Sequence, residues 1–267
     1  MAFLLALGAA GGLGLPVACT GTATTAGSAT ASQEAPPGGT PLPAGQDLYR
    51  PPNGLGAGPA GPLIRHQGIV SPVAGARAWR ILYRPRRAQG DPTVASGLLD
   101  LGRVAHISVL LMRPDDPAPD GGFPVVSWAI GTPGIADLCA PSRYPPVVPR
   151  LGRLLRAGFA VVATDGQGLG TRGPSHYLVG RSEAHTLLDA ARAAGGIPGL
   201  PTSRRIGLWG YSSVGHGALF AGAAAATYAP DLEIIGTAVV APVVDVKRFI
   251  APVDDHPAFT FLTVGAW

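Results

Sequence analysis

Charged side chains are scarce in this sequence. They make up 13% of the 267 residues, the net charge is +4, and all but one of the 20 basic residues are arginine. A nucleic-acid-binding surface needs basic residues clustered on one face or in one segment. The arginines are instead scattered along the chain, so they indicate solvated surface charge and no nucleic-acid partner.

Cysteine and histidine are also few. The chain has two cysteines, Cys19 and Cys139, and six histidines. None of these residues has the spacing of zinc ligands, so no metal is expected. Residues 166–170, GQGLG, follow a predicted strand, but they lack the spacing of the dinucleotide-binding fingerprint, and Pro174 comes before any helix. We therefore expect no cofactor.

No hydrophobic run reaches the length of about 20 residues that a comfortable membrane span needs. Residues 2–18 are apolar, uncharged and rich in glycine, which predicts an export signal over residues 1–18. The LPVA before Cys19 resembles the lipobox of bacterial lipoproteins, although Pro16 stands where leucine is usual. Two outcomes therefore stay open. Lipidation of Cys19 would anchor the protein to the outer face of the cytoplasmic membrane, and simple cleavage would release it as a secreted protein.

Glycine and proline are abundant, with 39 and 28 residues, and together with Thr, Ala and Ser they dominate residues 20–62. Such a segment cannot bury enough apolar surface to order itself. We predict a flexible low-complexity tether over residues 19–67 and a folded domain over residues 68–267. The hydrophobic content of 46% is sufficient for a sizeable core.

The domain alternates short apolar runs with helical segments, which is typical of an α/β fold. Helices are predicted at residues 147–157, at 183–194 between an N-cap at Ser182 and a stop at Gly195, and at 213–227. The apolar runs predict a mostly parallel, doubly wound sheet, with strands at residues 78–83, 105–112, 124–130, 159–164, 205–209 and 234–241. The strands before Asp165 and Ser212 are expected to be near neighbours whose ends face one crevice.

The most specific signal lies in residues 205–226, RIGLWGYSSVGHGALFAGAAAA. An apolar strand leads into a Gly-Tyr-Ser turn, and an alanine-rich helix follows, which is the context of a nucleophile elbow. The usual pattern is Gly-x-Ser-x-Gly. For Ser212, Val214 replaces the second glycine; for Ser213, a tyrosine replaces the first. Ser212 is favoured because Gly210 ends the strand where close packing is needed, and the alternative is a helix N-cap without catalysis.

Three segments resemble the secretory lipase family, which includes fungal secreted lipases and their actinobacterial relatives. They are residues 209–246, beginning WGYSSVGH, residues 127–144, SWAIGTPGIADLCAPSRY, and residues 161–194, beginning VVATDGQGLG. The resemblance implies an α/β-hydrolase fold and hydrolysis of carboxylic esters by a Ser, Asp, His triad. It assigns the nucleophile to Ser212 and half of the oxyanion hole to the backbone N–H of Ser213. Thr132 or Gly134 would supply the other half, in a loop where Ile130 replaces the family's histidine.

The resemblance also places the triad's Asp and His beyond a cap insertion that follows the last predicted strand. We therefore expect the chain to end before the cap, the last core strands and both residues. Asp254, Asp255 and His256 do not lie at the family positions, and His185 and His216 are interpreted as surface or local hydrogen-bonding residues. For Cys139, a downstream disulfide partner and a buried thiol both remain open.

Two functions follow. The first is an exported serine ester hydrolase acting on triacylglycerols or other carboxylic esters, for which this chain lacks two triad residues. The second is a non-catalytic surface lipoprotein that keeps the hydrolase fold, which the departures at Ile130 and Val214 favour.

Overall fold

The computed structural model describes residues 40–50, 61–86, 107–134, 136–144, 150–171 and 175–250. The predicted export signal, Cys19, residues 19–39 and 51–60 of the predicted tether, and residues 254–256 lie outside the described residues.

Eight described strands form one sheet. In chain order they are β1 Thr40–Pro41, β2 Leu63–Ile69, β3 Ala76–Tyr83, β4 Ile107–Pro114, β5 Phe123–Ala129, β6 Ala160–Thr164, β7 Thr202–Tyr211 and β8 Glu233–Val240. Their order across the sheet is β1-β2-β3-β4-β6-β5-β7-β8. The half that holds β6, β5, β7 and β8 is parallel, as predicted, whereas the β2-β3, β3-β4 and β4-β6 pairs are antiparallel.

Helices cover both faces of the sheet, which confirms the doubly wound arrangement. The described helices are α1 Leu151–Arg156, α2 Gly180–Ala194, α3 Ser213–Tyr228 and α4 Val246–Ile250. One core cluster joins α2 and α3 to one face, and a second joins α1 to the other. Val162 belongs to the first cluster and Val161 to the second, because successive side chains of a strand point to opposite faces.

The six predicted strands all occur, with ends that shift by a few residues. The second predicted helix differs at its start, because α2 begins at Gly180 and Ser182 lies inside it. The Ser182 hydroxyl is engaged with Nδ1 of His176 at 2.5 Å and does not cap the helix. Gly195 ends the helix as predicted.

The predicted start of the domain is too late. Strand β2 begins at Leu63, and further upstream Leu48 and Tyr49 are buried against Leu82 and Leu169. The Tyr49 hydroxyl also lies 2.9 Å from Oγ of Ser142. The composition of residues 20–62 did not predict these contacts. Gly and Pro dominate the average composition of this segment, and a few apolar residues change that average very little.

The predicted neighbourhood of two strands is confirmed. Strands β6 and β7 lie on either side of β5, and both run parallel to it. Their carboxyl ends therefore open on the same edge of the sheet, where ligands bind in open α/β folds.

Candidate active site

Ser212 lies in a sharp turn between β7 and α3. Its backbone has φ 57° and ψ −129°, a conformation that is costly for a residue with a side chain. Gly210 permits the turn, because a Cβ there would lie 2.6 Å from the carbonyl oxygen of Val214 and 2.8 Å from Cα of Gly215. Strand and helix thus approach each other backbone to backbone, as in a nucleophile elbow.

The same geometry explains how Val214 fits. Its carbonyl oxygen faces Gly210, while its side chain packs against the core cluster shared with α2 and lines the neighbouring crevice. The close approach on the helix side is made by Gly215, where a Cβ would lie 3.1 Å from Cβ of Pro242. The glycine that the usual pattern requires two residues after the serine is therefore replaced by one three residues after it.

The two adjacent serines have different environments. Ser213 is 0% exposed, and its hydroxyl lies 2.6 Å from Oγ1 of Thr132, whereas Ser212 is partly exposed. As the first residue of α3, Ser213 also presents a backbone N–H that has no acceptor within the helix, and such groups favour a negative charge.

Residues 130–134 run from the end of β5 along the elbow. A Cβ on Gly131 would lie 2.9 Å from the ring of Tyr211, and Thr132 contacts Ser213 through the hydroxyl pair. Gly134 has φ 141°, and a Cβ there would lie 2.8 Å from Sγ of Cys139, which is a buried thiol. The loop thus contacts the residues on both sides of Ser212.

A crevice that is partly open to solvent adjoins this loop. Apolar and polar side chains share its wall, among them Ile130, Pro133, Leu169, Asp165, Gln167 and Val214. Asp165 is buried and accepts hydrogen bonds from the backbone N–H of Ser142 at 2.7 Å and from its hydroxyl at 2.5 Å. Asp165 therefore anchors the short helical turn at Pro141–Arg143 to the end of β6.

Residues 175–177 line the crevice next to α2. Tyr177 is buried there, and burial raises the pKa of its phenol, while the hydroxyls of Thr132 and Ser213 oppose that rise. Leu178 has φ 59° and donates its N–H to Oε1 of Glu183 at 3.0 Å. Burial raises the pKa of Glu183 to about 8, against the effect of backbone hydrogen bonds. Sequence reasoning missed Tyr177 and Glu183, because no motif marks either residue.

The described histidines do not complete a triad. His216 is buried with Nδ1 2.8 Å from the carbonyl oxygen of Val243, and burial lowers its pKa. The hydrogen bond of His216 agrees with the predicted local role. His185 stacks on the Tyr228 ring, with the ring centres 3.7 Å apart. Both histidines are buried, so neither lies on the surface. Within residues 40–50, 61–86, 107–134, 136–144, 150–171 and 175–250, no histidine is hydrogen-bonded to Ser212.

The described part of the chain contains no group of three His, Cys, Asp or Glu residues placed to hold a metal ion. None of its helices combines the length and apolarity needed to cross a membrane.

The strand order and the strand, turn, helix context of Ser212 define an α/β-hydrolase fold. Solved structures share it. Candida antarctica lipase A in its closed state superposes with a TM-score of 0.62 at 22% identity, over 78% of this chain and 48% of that one. A rice cell wall degrading esterase, LipA of Xanthomonas oryzae, superposes with a TM-score of 0.58 at 21% identity, over 73% of this chain and 54% of that one.

The secretory lipase family model matches residues 149–264. A lipase A of Moesziomyces aphidis is 23% identical over 244 residues, which are 84% of this chain and 46% of that protein. A Mycobacterium tuberculosis protein described as a probable inactive lipase is 28% identical over 223 residues, which are 76% of this chain and 46% of that protein. The chain is thus similar to the secretory lipases over these residues, and it spans about half the length of these curated relatives.

Proposed function

We propose that this chain carries the nucleophile and oxyanion hole of a carboxylic ester hydrolase of the lipase or esterase type. The observation that supports this most is the strained turn at Ser212, with residues 130–134 held against it. A backbone cost of about 1–3 kcal/mol at one serine persists only where the surroundings enforce it. Such strain is typical of a serine whose hydroxyl is positioned for nucleophilic attack.

In this proposal Oγ of Ser212 attacks the acyl carbon of the ester. The bond that forms is Ser212 Oγ to the acyl carbon, and the bond that breaks afterwards joins that carbon to the alcohol oxygen. The backbone N–H of Ser213 and a donor from Thr132 or Gly134 donate hydrogen bonds to the carbonyl oxygen and stabilise the negative charge that develops on it. Water then releases the acid from the acyl-enzyme.

The attack also needs a base that takes the Ser212 proton and gives it to the departing alcohol. None of the described histidines contacts Ser212, so we propose that the triad's Asp and His come from sequence that follows β8 in the family. Triacylglycerols and other carboxylic esters are the proposed substrates, in agreement with the apolar share of the crevice wall.

A non-catalytic role is the second candidate. It is favoured by one observation, the lack of a histidine partner for Ser212 among the described residues. Removing triad members from a serine hydrolase leaves only about 10³–10⁴-fold acceleration over water. A chain in which Ser212 has no base is therefore expected to turn over esters very slowly.

Acyl transfer to Ser212 tests the proposal without requiring turnover. The purified chain is incubated with p-nitrophenyl butyrate, with and without added imidazole as a substitute base, and the acylated residue is located by peptide mass mapping. The acyl group is expected on Ser212 in the parent and in Ser203→Ala, a control at the opposite end of the sheet, and nowhere in Ser212→Ala. No acylation of the parent under either condition would favour the non-catalytic candidate.

We also propose export with attachment through a lipid on Cys19, behind a flexible tether. The LPVA sequence before Cys19 supports it, as does the family description as secretory. Fractionation of cells that express the parent or Cys19→Ser tests it. The parent is expected in the membrane fraction and the variant in the soluble exported fraction. Identical soluble partitioning would leave simple cleavage and secretion.

A further inference from the structure

Tyr49 is a buried aromatic residue in a segment whose composition predicts a tether. It is 8% exposed and belongs to an apolar cluster that also contains Leu48 and Ala140. Ala140 joins two consecutive short helical turns, Asp137–Cys139 and Pro141–Arg143. We call residues 137–143 the double turn. Leu48 and Tyr49 thus pack on a segment that follows the loop of residues 130–134.

Ser142, in the second half of the double turn, is held through each of its polar groups. Its backbone N–H donates to Asp165 at 2.7 Å, and its carbonyl oxygen accepts a 2.6 Å hydrogen bond from Nε of Arg80. Its hydroxyl donates to the other carboxylate oxygen of Asp165 and lies 2.9 Å from the hydroxyl of Tyr49. The end of β6, the middle of β3 and the segment of residues 48–49 therefore meet at one serine.

The direction of these bonds makes Tyr49 a donor. A serine hydroxyl has one proton, and that of Ser142 is directed to Asp165, so its oxygen is left to accept from Tyr49. Burial raises the pKa of Tyr49 to about 12, so the phenol keeps its proton at neutral pH.

The ring of Tyr49 makes a separate contact. The guanidinium carbon of Arg143 lies 3.7 Å from the ring centre, a cation–π arrangement that phenylalanine would keep. Tyr49→Phe therefore removes the hydrogen bond to Ser142 and leaves the packing of the ring in place.

The first half of the double turn contacts the loop of residues 130–134. Gly134 has φ 141°, and a Cβ there would lie 2.8 Å from Sγ of Cys139. Cys139 is followed by Ala140, which is 0% exposed beneath Leu48 and Tyr49. The sulfur thus stands against the backbone of the loop, and a shift of the double turn would change the contact on which Gly134 rests.

We propose that Tyr49 is a positioning residue, whose hydroxyl fixes the double turn and, through Cys139, holds Gly134 and the rest of residues 130–134 in place. The use of this loop as an oxyanion hole rests on the proposed function. The mechanical link between Tyr49 and the loop does not, so the two can be tested separately.

Alkylation of Cys139 by N-ethylmaleimide tests the first step of the link. The thiol is buried, so its reaction requires the double turn to open, and peptide mass mapping separates it from any labelling of Cys19. Loss of one hydrogen bond in Tyr49→Phe predicts about five-fold faster alkylation. The matched control is Tyr228→Phe, which loses a 2.7 Å hydrogen bond to Asp189 at the far end of α3 and is expected to leave the alkylation rate unchanged.

Amide hydrogen exchange measured by mass spectrometry tests the second step. In Tyr49→Phe, a peptide that contains Gly131, Thr132 and Gly134 is expected to exchange about two- to five-fold faster than in the parent, with no change in Tyr228→Phe. Adding Tyr49→Phe to Cys139→Ala should produce no further acceleration in this peptide, because the contact that transmits the effect is already absent.

Three results overturn the proposal. The first is an unchanged alkylation rate in Tyr49→Phe, and the second is faster alkylation with unchanged exchange of the loop. The third is an equal effect in Tyr228→Phe or an undiminished effect in the Cys139→Ala background, because the change would then be general loosening of the fold.

These results do not depend on catalysis. If the acylation experiment fails while Tyr49→Phe still loosens the loop, the proposed function is wrong and the positioning role stands. If acylation of Ser212 succeeds, its maximal rate should fall about three- to ten-fold in Tyr49→Phe with ester affinity within about two-fold, because an oxyanion donor acts only during the reaction. An unchanged maximal rate together with unchanged exchange would remove the positioning role and leave the nucleophile assignment intact.

Discussion

The hydroxyls of Thr132 and Ser213 lie 2.6 Å apart although the two residues are separated by 81 positions in the chain. Thr132 follows β5, and Ser213 begins α3 directly after the turn that ends β7. Strands β5 and β7 are parallel neighbours, so their carboxyl ends bring the two residues together. This contact connects the loop of residues 130–134 to the first residue of α3, next to Ser212.

Replacing Thr132 by valine should destabilise the fold. The change keeps the side-chain shape but deprives the buried Ser213 hydroxyl of a partner, which costs about 1–3 kcal/mol. Thr227→Val is the matched control, because the Thr227 hydroxyl bonds the carbonyl of Ala224 on the exposed side of the same helix. Urea unfolding followed by circular dichroism measures both. Equal stability of Thr132→Val and the parent would mean that the hydroxyl pair contributes nothing to folding.

Gly210→Ala should disrupt the elbow. An added Cβ would lie 2.6 Å from the carbonyl oxygen of Val214. The Cβ is attached directly to the backbone and the oxygen belongs to it, so a side-chain rotation cannot relieve the clash. Overpacking of this kind costs about 1–3 kcal/mol or more. The midpoint of urea denaturation is expected to fall, and acylation of Ser212 should be lost.

The control for that change lies on the same strand. Gly207→Ala would place its Cβ 3.6 Å from a methyl group of Val126, an ordinary contact distance, so little loss of stability is expected. If both variants lose stability equally, the cause is the loss of glycine in β7 in general, and the argument from close approach at the elbow is contradicted.

Glu183 should make stability depend on pH. Burial raises its pKa to about 8 in the folded protein, from an ordinary value of 4.5, so the folded state binds more protons than the unfolded state between these values. Stability from this group is therefore complete below pH 4.5 and is lost as the pH rises toward 8. Relative to Glu183→Gln, the parent should lose on the order of 3 kcal/mol of unfolding free energy between pH 5 and pH 8.

Chemical denaturation at several pH values measures this difference. Glu233→Gln, at an exposed position of β8, serves as the control and should follow the parent at every pH. A constant difference between the parent and Glu183→Gln across the range would show that Glu183 ionises as readily in the folded protein as in the unfolded chain.

Asp165→Asn should weaken the attachment of the Pro141–Arg143 turn to the sheet. Asp165 accepts two hydrogen bonds from Ser142, and hydrogen bonds to a charged acceptor contribute about 1.5–3 kcal/mol each. We expect a lower thermal midpoint by several degrees for a domain of this size. Asp116→Asn, an exposed carboxylate, should have no effect in the same calorimetric scan. A midpoint equal to that of the parent would show that the buried charge is not needed.

Local sequence patterns were sufficient to predict the central strands and the position of the elbow. The continuous apolar run of β6 marks a strand buried on both faces, and Gly210 followed by Ser212 marks the turn before α3. These features depend on residues within one short window, where periodicity and backbone preference act directly.

Contacts between distant segments depended on the order of the strands, which no local pattern specifies. The pairing of Thr132 with Ser213 exists because β5 lies next to β7. Burial of Leu48 and Tyr49 likewise requires the surface that later segments build. The sequence therefore located the sharp turn at Ser212, while the tertiary structure determined what surrounds it, because side chains far apart in the chain meet only after the sheet has brought their strands together.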